Sequence, residues 1–307
     1  MHNLNEIFNK VGKEIDSQWS KYEYKLNKFS DIAAENLIKI NKLQVPYKDI
    51  LDLYFNKSFN VTQGHNNFSQ YQITLYNNDF FYIEALFWSS GTTTIHEHNF
   101  TGAFLVLEGS SLQAEYTYEV KNKISESMSF GNLALQDKKI LEKKSIQKIN
   151  LKSNFIHSIF HLENPSVTIV IKSKSKGIKL HQFNYNPCGL AISPFYNNLN
   201  INKFIKLYAI THSINPKLAN DYLLEFIKNN EDNFEMYIRF LLAINFNISN
   251  SKLELIYDKL TKNGFSIFKL KEYVTKIHQL NSKRSQISEK DDLIKLGEEA
   301  VKIYLKK

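Results

Sequence analysis

Arginine, cysteine and long apolar runs are what this 307-residue chain has least of. A single cysteine, Cys188, excludes an intramolecular disulfide scaffold and leaves no material for a cysteine-based zinc module. It follows Pro187 with no base nearby in sequence, so it reads as a structural thiol. The longest apolar stretch, Phe80 to Trp88, is broken by Tyr82 and Glu84. It falls far short of the roughly 20 residues that span a bilayer. Met1 to Glu6 are mostly polar, which is not the charged start and apolar heart of a signal peptide. These absences point to a soluble chain of a reducing compartment, cytoplasmic and with no membrane partner. Only Arg239 and Arg284 are arginines, so the formal charge of +8 comes from scattered lysines. Nucleic-acid grooves favour arginine for bidentate and stacked contacts, so no nucleic-acid partner is expected. Abundant Lys, Asn and Ile suits an AT-rich bacterial genome.

Hydrophobic content of 43% suffices for a packed core, and the length suggests about two domains. Leu4, Ile7, Phe8, Val11, Ile15 and Trp19 recur at helical spacing. Asp31 to Lys42 continues the pattern, and Pro46 sits in the first turn of a further helix. From about residue 69 to 187 the texture changes to about nine short β-branched and aromatic runs separated by turn signals, the pattern of a sandwich or barrel. Helical periodicity returns in Asn202 to Thr211, Pro216 to Lys228, Asn233 to Ile244, Ser251 to Lys262, Ser266 to Gln279 and Asp291 to Tyr304. The expected plan is an N-terminal helical segment (1–60), a β metal domain (61–192) and a C-terminal helical domain (193–307).

Four of the nine histidines fall in two tight groups within the β region. In Ile95-His96-Glu97-His98 the two imidazoles are two residues apart, which on a strand places them on one face. His157 and His161 again share a strand parity, but four strand residues separate them by roughly 13 Å. The two together are therefore not expected to bind one ion with His96 and His98. Imidazole suits first-row transition metals, and three neutral ligands leave positions open for substrate. His2, His65, His181, His212 and His278 read as ordinary core or surface imidazoles.

These residues resemble the cupin superfamily. Gly91, His96, His98 and Gly109 match its first motif, with the gap from Gly91 to His96 one residue short. The motif's glutamate position is Gly102, so the site resembles the three-histidine variant of the cysteine-dioxygenase-like, or thiol dioxygenase, branch. The run from Trp88 to His98 is similar to that branch. In the second motif Asn154 takes a glycine place, as a residue tolerant of positive φ, His157 the ligand place and His161 an asparagine place. His161-Leu162-Glu163-Asn164 is also similar to a shortened form of a stretch in the dioxygenase branch. The third ligand is thus His157 by spacing, with His161 as the alternative.

The resemblance implies a mainly β core (a cupin-type β-barrel, or double-stranded β-helix) flanked by N-terminal helices and a C-terminal all-α domain. It implies a mononuclear non-haem iron oxidoreductase, a dioxygenase-like enzyme using Fe(II) and O₂ on a small, thiol-containing or other substrate. Zn(II), Mn(II) or Ni(II) are the other ions such a site takes. His96, His98 and His157 are the expected metal ligands. His161, Glu84 and Tyr71 are the expected catalytic residues. Gln72, Tyr82, Thr168 and Lys172 are expected to contact substrate, since no arginine before Arg239 is there to clamp a carboxylate. Two other readings follow from the same residues: a redox-inactive cupin isomerase or hydrolase, and a metal or small-molecule sensor that signals through its helical region. The helices are also a candidate homodimer surface.

Overall fold

A computed structural model describes residues 3–56, 58, 60–63, 71–88, 93–150, 155–174, 182–186, 189–193, 199–229, 235, 279, 282–283, 286–287 and 289–303. The helices expected over 233–279 lie almost wholly outside these residues, and of the strand expected over 178–185 only 182–185 are described. So do Gly91, Asn154, Cys188, His2, His65, His181 and His278. The chain forms two compact units. The first comprises Met1–Thr117, Ala134–Gln182 and Gln279–Lys302, and the second Tyr118–Leu133, Phe183–His278 and Ile303–Lys307.

In the first unit, α1 (Leu4–Ser20), α2 (Leu26–Lys42) and α3 (Tyr47–Phe55) precede the strands. Asn3 caps α1, its side-chain oxygen accepting from the Glu6 amide at 3.4 Å. The strands there are β1 (Tyr71–Asn77), β2 (Phe81–Trp88), β3 (Ile95–His96), β4 (Gly102–Glu108), β5 (Ser111–Ser125), β6 (Met128–Leu141), β7 (Ile146–Ile149), β8 (Ile156–His161) and β9 (Ser166–Ser173). One antiparallel sheet has the order β1-β2-β9-β4-β7, and β3, β8, β5 and β6 are neighbours in the other. β5 and β6 run on into the second unit. The result is a mainly β core, two antiparallel sheets preceded by helices.

Strand alternation decides what each face of the first sheet does. Ile73, Phe81, Ile83, Ala85, Phe87, Ala103, Leu105, Val167, Ile169 and Ile171 are buried in one core with Phe8, Ile15, Trp19, Phe29 and Leu37 of the N-terminal helices. The intervening positions face the other way. Leu86, Phe104, Val106 and Val170 join Leu141 and Ile149 in a second core, against which Trp88, Phe100, Phe155 and Ile159 pack. That second core is the interior between the sheets, and the polar residues of the same parity are carried into it.

A final helix, α6 (Lys290–Ile303), lies on the outside of the second sheet. A Cβ at Gly297 would stand 3.0 Å from Leu112 and 3.1 Å from Phe160, a cross-strand pair of β5 and β8. Lys290 forms ion pairs with Glu163 at 2.9 Å and Glu142 at 3.4 Å, and Lys138 pairs with Glu298.

The second unit holds β10 (Asn184–Tyr185) and β11 (Leu190–Ile192), the latter paired with the first residues of β6. Its helices α4 (Leu199–Ile214) and α5 (Pro216–Asn229) contact each other through Phe204 and Phe226, and Tyr208 donates to Asn220 at 2.8 Å. No described helix is long and apolar enough to cross a membrane.

Candidate metal centre

β3 is only two residues long, yet it sets the site. His96 lies directly opposite His157 of β8 in register, so both rings project from the same face. His98 lies just beyond the strand, and its ring returns to the same point. The three ring centres form a nearly equilateral triangle: 4.8 Å from His96 to His98, 4.7 Å from His96 to His157 and 5.0 Å from His98 to His157. One nitrogen from each lies within 4.8 Å of the others. The Nε2 atoms of His98 and His157 are 3.0 Å apart.

The chemistry of this donor set fits a transition-metal cation. Two imidazole nitrogens about 2.1 Å from one ion lie roughly 3–3.4 Å apart at octahedral or tetrahedral angles, close to the separation between His98 and His157. A ligating imidazole must also be neutral. Burial pushes His96 down to about 4. Burial first, and then neighbouring positive charge, holds His98 and His157 well below the usual histidine range. The charged neighbours acting on His98 include Lys172, and those acting on His157 include Lys139. Nδ1 of His96 is 2.7 Å from the Thr94 carbonyl, which can only accept, so the ring proton sits there and Nε2 keeps its lone pair. Phe100 and Phe155 stand 4.7 and 6.3 Å from the His98 ring and wall the group with apolar surface.

Gly102 has no room for a side chain. A Cβ there would meet the Ile171 carbonyl oxygen at 2.0 Å, next to the register pair of Gly102 with Lys172 between β4 and β9. Gly109 adopts φ +76°, a conformation suited to glycine, and closes the turn between β4 and β5.

His161 stands outside the triangle. Its ring stacks on Trp88 at 4.8 Å, and its Nδ1 is 3.0 Å from both Ser111 Oγ and Ser166 Oγ. It is a buried polar residue of the interior with serine partners.

On the first sheet's inner face, Glu84 is buried and ion-paired with Lys172, and Gln72 donates to it at 2.6 Å. Burial raises the Glu84 carboxyl above the ordinary range, while the Lys172 charge pulls the other way. The Lys172 ammonium also sits 5.4 Å from the Tyr82 ring. Thr168 shares this face, opposite Leu86 and Val106. Gln72, Tyr82, Glu84, Thr168 and Lys172 are thus brought onto one surface. Tyr71 is not: alternation turns it to the opposite face from Gln72, and it is 72% exposed at the strand end.

Sequence reading missed Gln113 and Glu115 of β5, which lie behind His157. Their signal was the alternation Ser111, Gln113, Glu115 against Leu112, Ala114, Tyr116, which ordinarily marks a strand with one wet face. Here both rows are largely buried, because α6 covers the apolar one.

No protein-family model matches this chain, and no curated protein matches it. Parts of it are similar to solved structures. Hydroquinone 1,2-dioxygenase from Sphingomonas is 10% identical, with 35% of this chain and 68% of that one covered and a TM-score of 0.25. A cupin-2 domain protein from Shewanella frigidimarina is 12% identical, with 43% and 98% covered and a TM-score of 0.26. A DMSP lyase from Ruegeria pomeroyi is 13% identical, and this chain covers about half of its length (36% and 49% covered, TM-score 0.24). Scores at this level carry no argument about chemistry, which rests on the imidazole triangle and the inner sheet face.

Proposed function

We propose that this chain is a metal-dependent cupin enzyme, an oxidoreductase that uses Fe(II) and O₂ on a small substrate in the manner of the thiol dioxygenases. The observation that carries the reading is the convergence of three neutral imidazoles, His96 and His157 buried and His98 half-buried, with no carboxylate among them. Fe(II) at such a site supplies the one-electron chemistry that lets O₂ react with a closed-shell molecule.

The chain's own residues supply holding, orientation and exclusion of water. His96, His98 and His157 hold the cation through nitrogen lone pairs. Phe100 and Phe155 keep bulk water from it. Lys172, with Gln72 and Thr168, orients an acidic or amide-bearing substrate on the inner face, and Tyr82 forms part of that wall. Glu84 exchanges protons with the substrate. Its raised carboxyl and its Lys172 partner suit a group that changes charge in use. His161 holds its place against Trp88 and the two serines and acts as a further proton-exchanging group. The Glu84–Lys172 pair equally favours a second reading, proton transfer in a redox-inactive isomerase or hydrolase using Zn(II) or Mn(II).

The test is elemental analysis of protein purified without added metal, followed by oxygen-uptake measurements with thiols and small acids. Iron with substrate-dependent O₂ consumption is expected. Turnover with Zn(II) or Mn(II) in the absence of O₂ would replace the first reading by the second. Protein that binds no metal would end both.

A further inference from the structure

The polar row of β5 faces β8: Ser111 lies opposite His161, Gln113 opposite Ile159 and Glu115 opposite His157. Gln113 is wholly buried, where an amide needs partners for both ends. Its Nε2 donates to Glu115 Oε1 at 2.7 Å. Glu115 is itself ion-paired to Lys139 at 2.8 Å, and a carboxylate only accepts. The amide therefore has one orientation, and its oxygen is turned toward His157, 3.5 Å from Nδ1. An amide oxygen also only accepts. The hydrogen-bond polarity thus runs from the ring to the carboxylate, His157 Nδ1–H to Gln113 and Gln113 to Glu115, and Lys139 donates to Glu115 from the other side.

We propose that Gln113, oriented by the Glu115–Lys139 ion pair, is a positioning residue that holds His157 as its Nδ1–H tautomer and so presents the Nε2 lone pair to the metal. The proposal rests on the reading of His96, His98 and His157 as a metal site. It makes a partly exposed ion pair on β5 and β6 a determinant of affinity at a buried ligand. It also completes a symmetry: the Thr94 carbonyl does for His96 what the Gln113 amide does for His157.

The test uses the full chain, metal-free and labelled with nitrogen-15 in histidine. Two-bond proton–nitrogen spectra report the tautomer of each ring, and His157→Gln assigns the signal. Wild type should show His157 protonated on Nδ1. Gln113→Leu should shift it toward the Nε2–H form and weaken Co(II) binding, measured by competition, about 10- to 100-fold. Glu115→Gln changes a partly exposed position and leaves the core packing intact. It should shift the tautomer and the affinity in the same direction by less, and it carries the test if Gln113→Leu does not fold. A wild-type His157 protonated on Nε2 overturns the proposal. So does a tautomer unchanged in the variants. Wild type that shows the expected tautomer but takes up no Co(II) overturns the metal reading, and with it the purpose assigned to Gln113, while the tautomer result stands separately.

Discussion

Replacing Lys172 by methionine is the sharpest test of how the inner sheet face is held. Glu84 and Lys172 have side chains only 3% and 17% exposed. Removing one partner of a buried ion pair leaves a charge with no counter-ion, which costs about 3–5 kcal/mol. Glu84 keeps the Gln72 hydrogen bond in the variant, so the lower end applies, about 3 kcal/mol. The cost depends on pH, and its sign follows from the carboxyl. A group whose folded value lies above its unfolded one contributes stability below the unfolded value, and loses it as pH rises through the folded one. Burial already raises Glu84, and removing Lys172 takes away the main opposing influence. The deficit of Lys172→Met should therefore be greatest near pH 8. It should shrink toward pH 5 by at most about 1.4 kcal/mol per unit, the equivalent of one proton. At about 3 kcal/mol the melting temperature falls by roughly 6–12 °C for a unit of this size. Adding Glu84→Gln removes the stranded charge and should recover most of the loss. Urea and thermal unfolding of wild type, single and double variants at several pH values measure all of this. A Lys172→Met protein as stable as wild type at pH 8, or a deficit that does not change with pH, would refute the reasoning.

Two further outcomes follow from the same geometry. Gly102→Ala forces a Cβ against the Ile171 carbonyl, so urea unfolding should show a loss of about 1–3 kcal/mol or more. Wild-type stability in that variant would mean that β4 and β9 are not so close. In metal-free protein the three imidazoles sit below their unfolded range, so their contribution is present above about pH 6.5 and is lost as pH falls below it. The slope of stability with pH should approach about 4 kcal/mol per unit, three protons' worth, and His96→Ala should remove about a third of it. A flat stability profile from pH 6.5 to 4.5 would contradict the burial of neutral rings.

Legibility in the sequence varied with how directly burial follows from periodicity. Leu4, Phe8, Val11, Ile15 and Trp19 were readable as one helix face because a helix packed on a sheet buries one stripe, and all five are buried in α1. Phe80 to Trp88 was readable as strand, and Glu84 as its anomaly, because a carboxylate in an apolar run needs a partner. Lys172 is that partner, 88 positions on in the chain (172 − 84), and no local pattern points to it. The histidine groups stood out by spacing, but the argument from alternation was only partly apt. β3 ends at His96, and His98 reaches the triangle from beyond the strand. His157 was preferred to His161 by motif spacing, which does not report register. His157 faces His96 across the sheet, while His161, four residues on, meets Trp88 instead. Tyr71 lies on the opposite face from Gln72, and composition does not report strand parity. Gln113 and Glu115 were overlooked because polar alternation suggests a wet face, and the burial of that face comes from elements distant in sequence.

Metal content tests the central claim most directly. Purified protein loaded with Fe(II) under anaerobic conditions, or with Co(II), and then desalted should retain about one equivalent per chain. His96→Ala, His98→Ala and His157→Ala should each retain almost none, while His161→Ala, changed outside the triangle, should hold as much as wild type. Stoichiometric metal in any of the three triangle variants, or its loss in His161→Ala alone, would contradict the account.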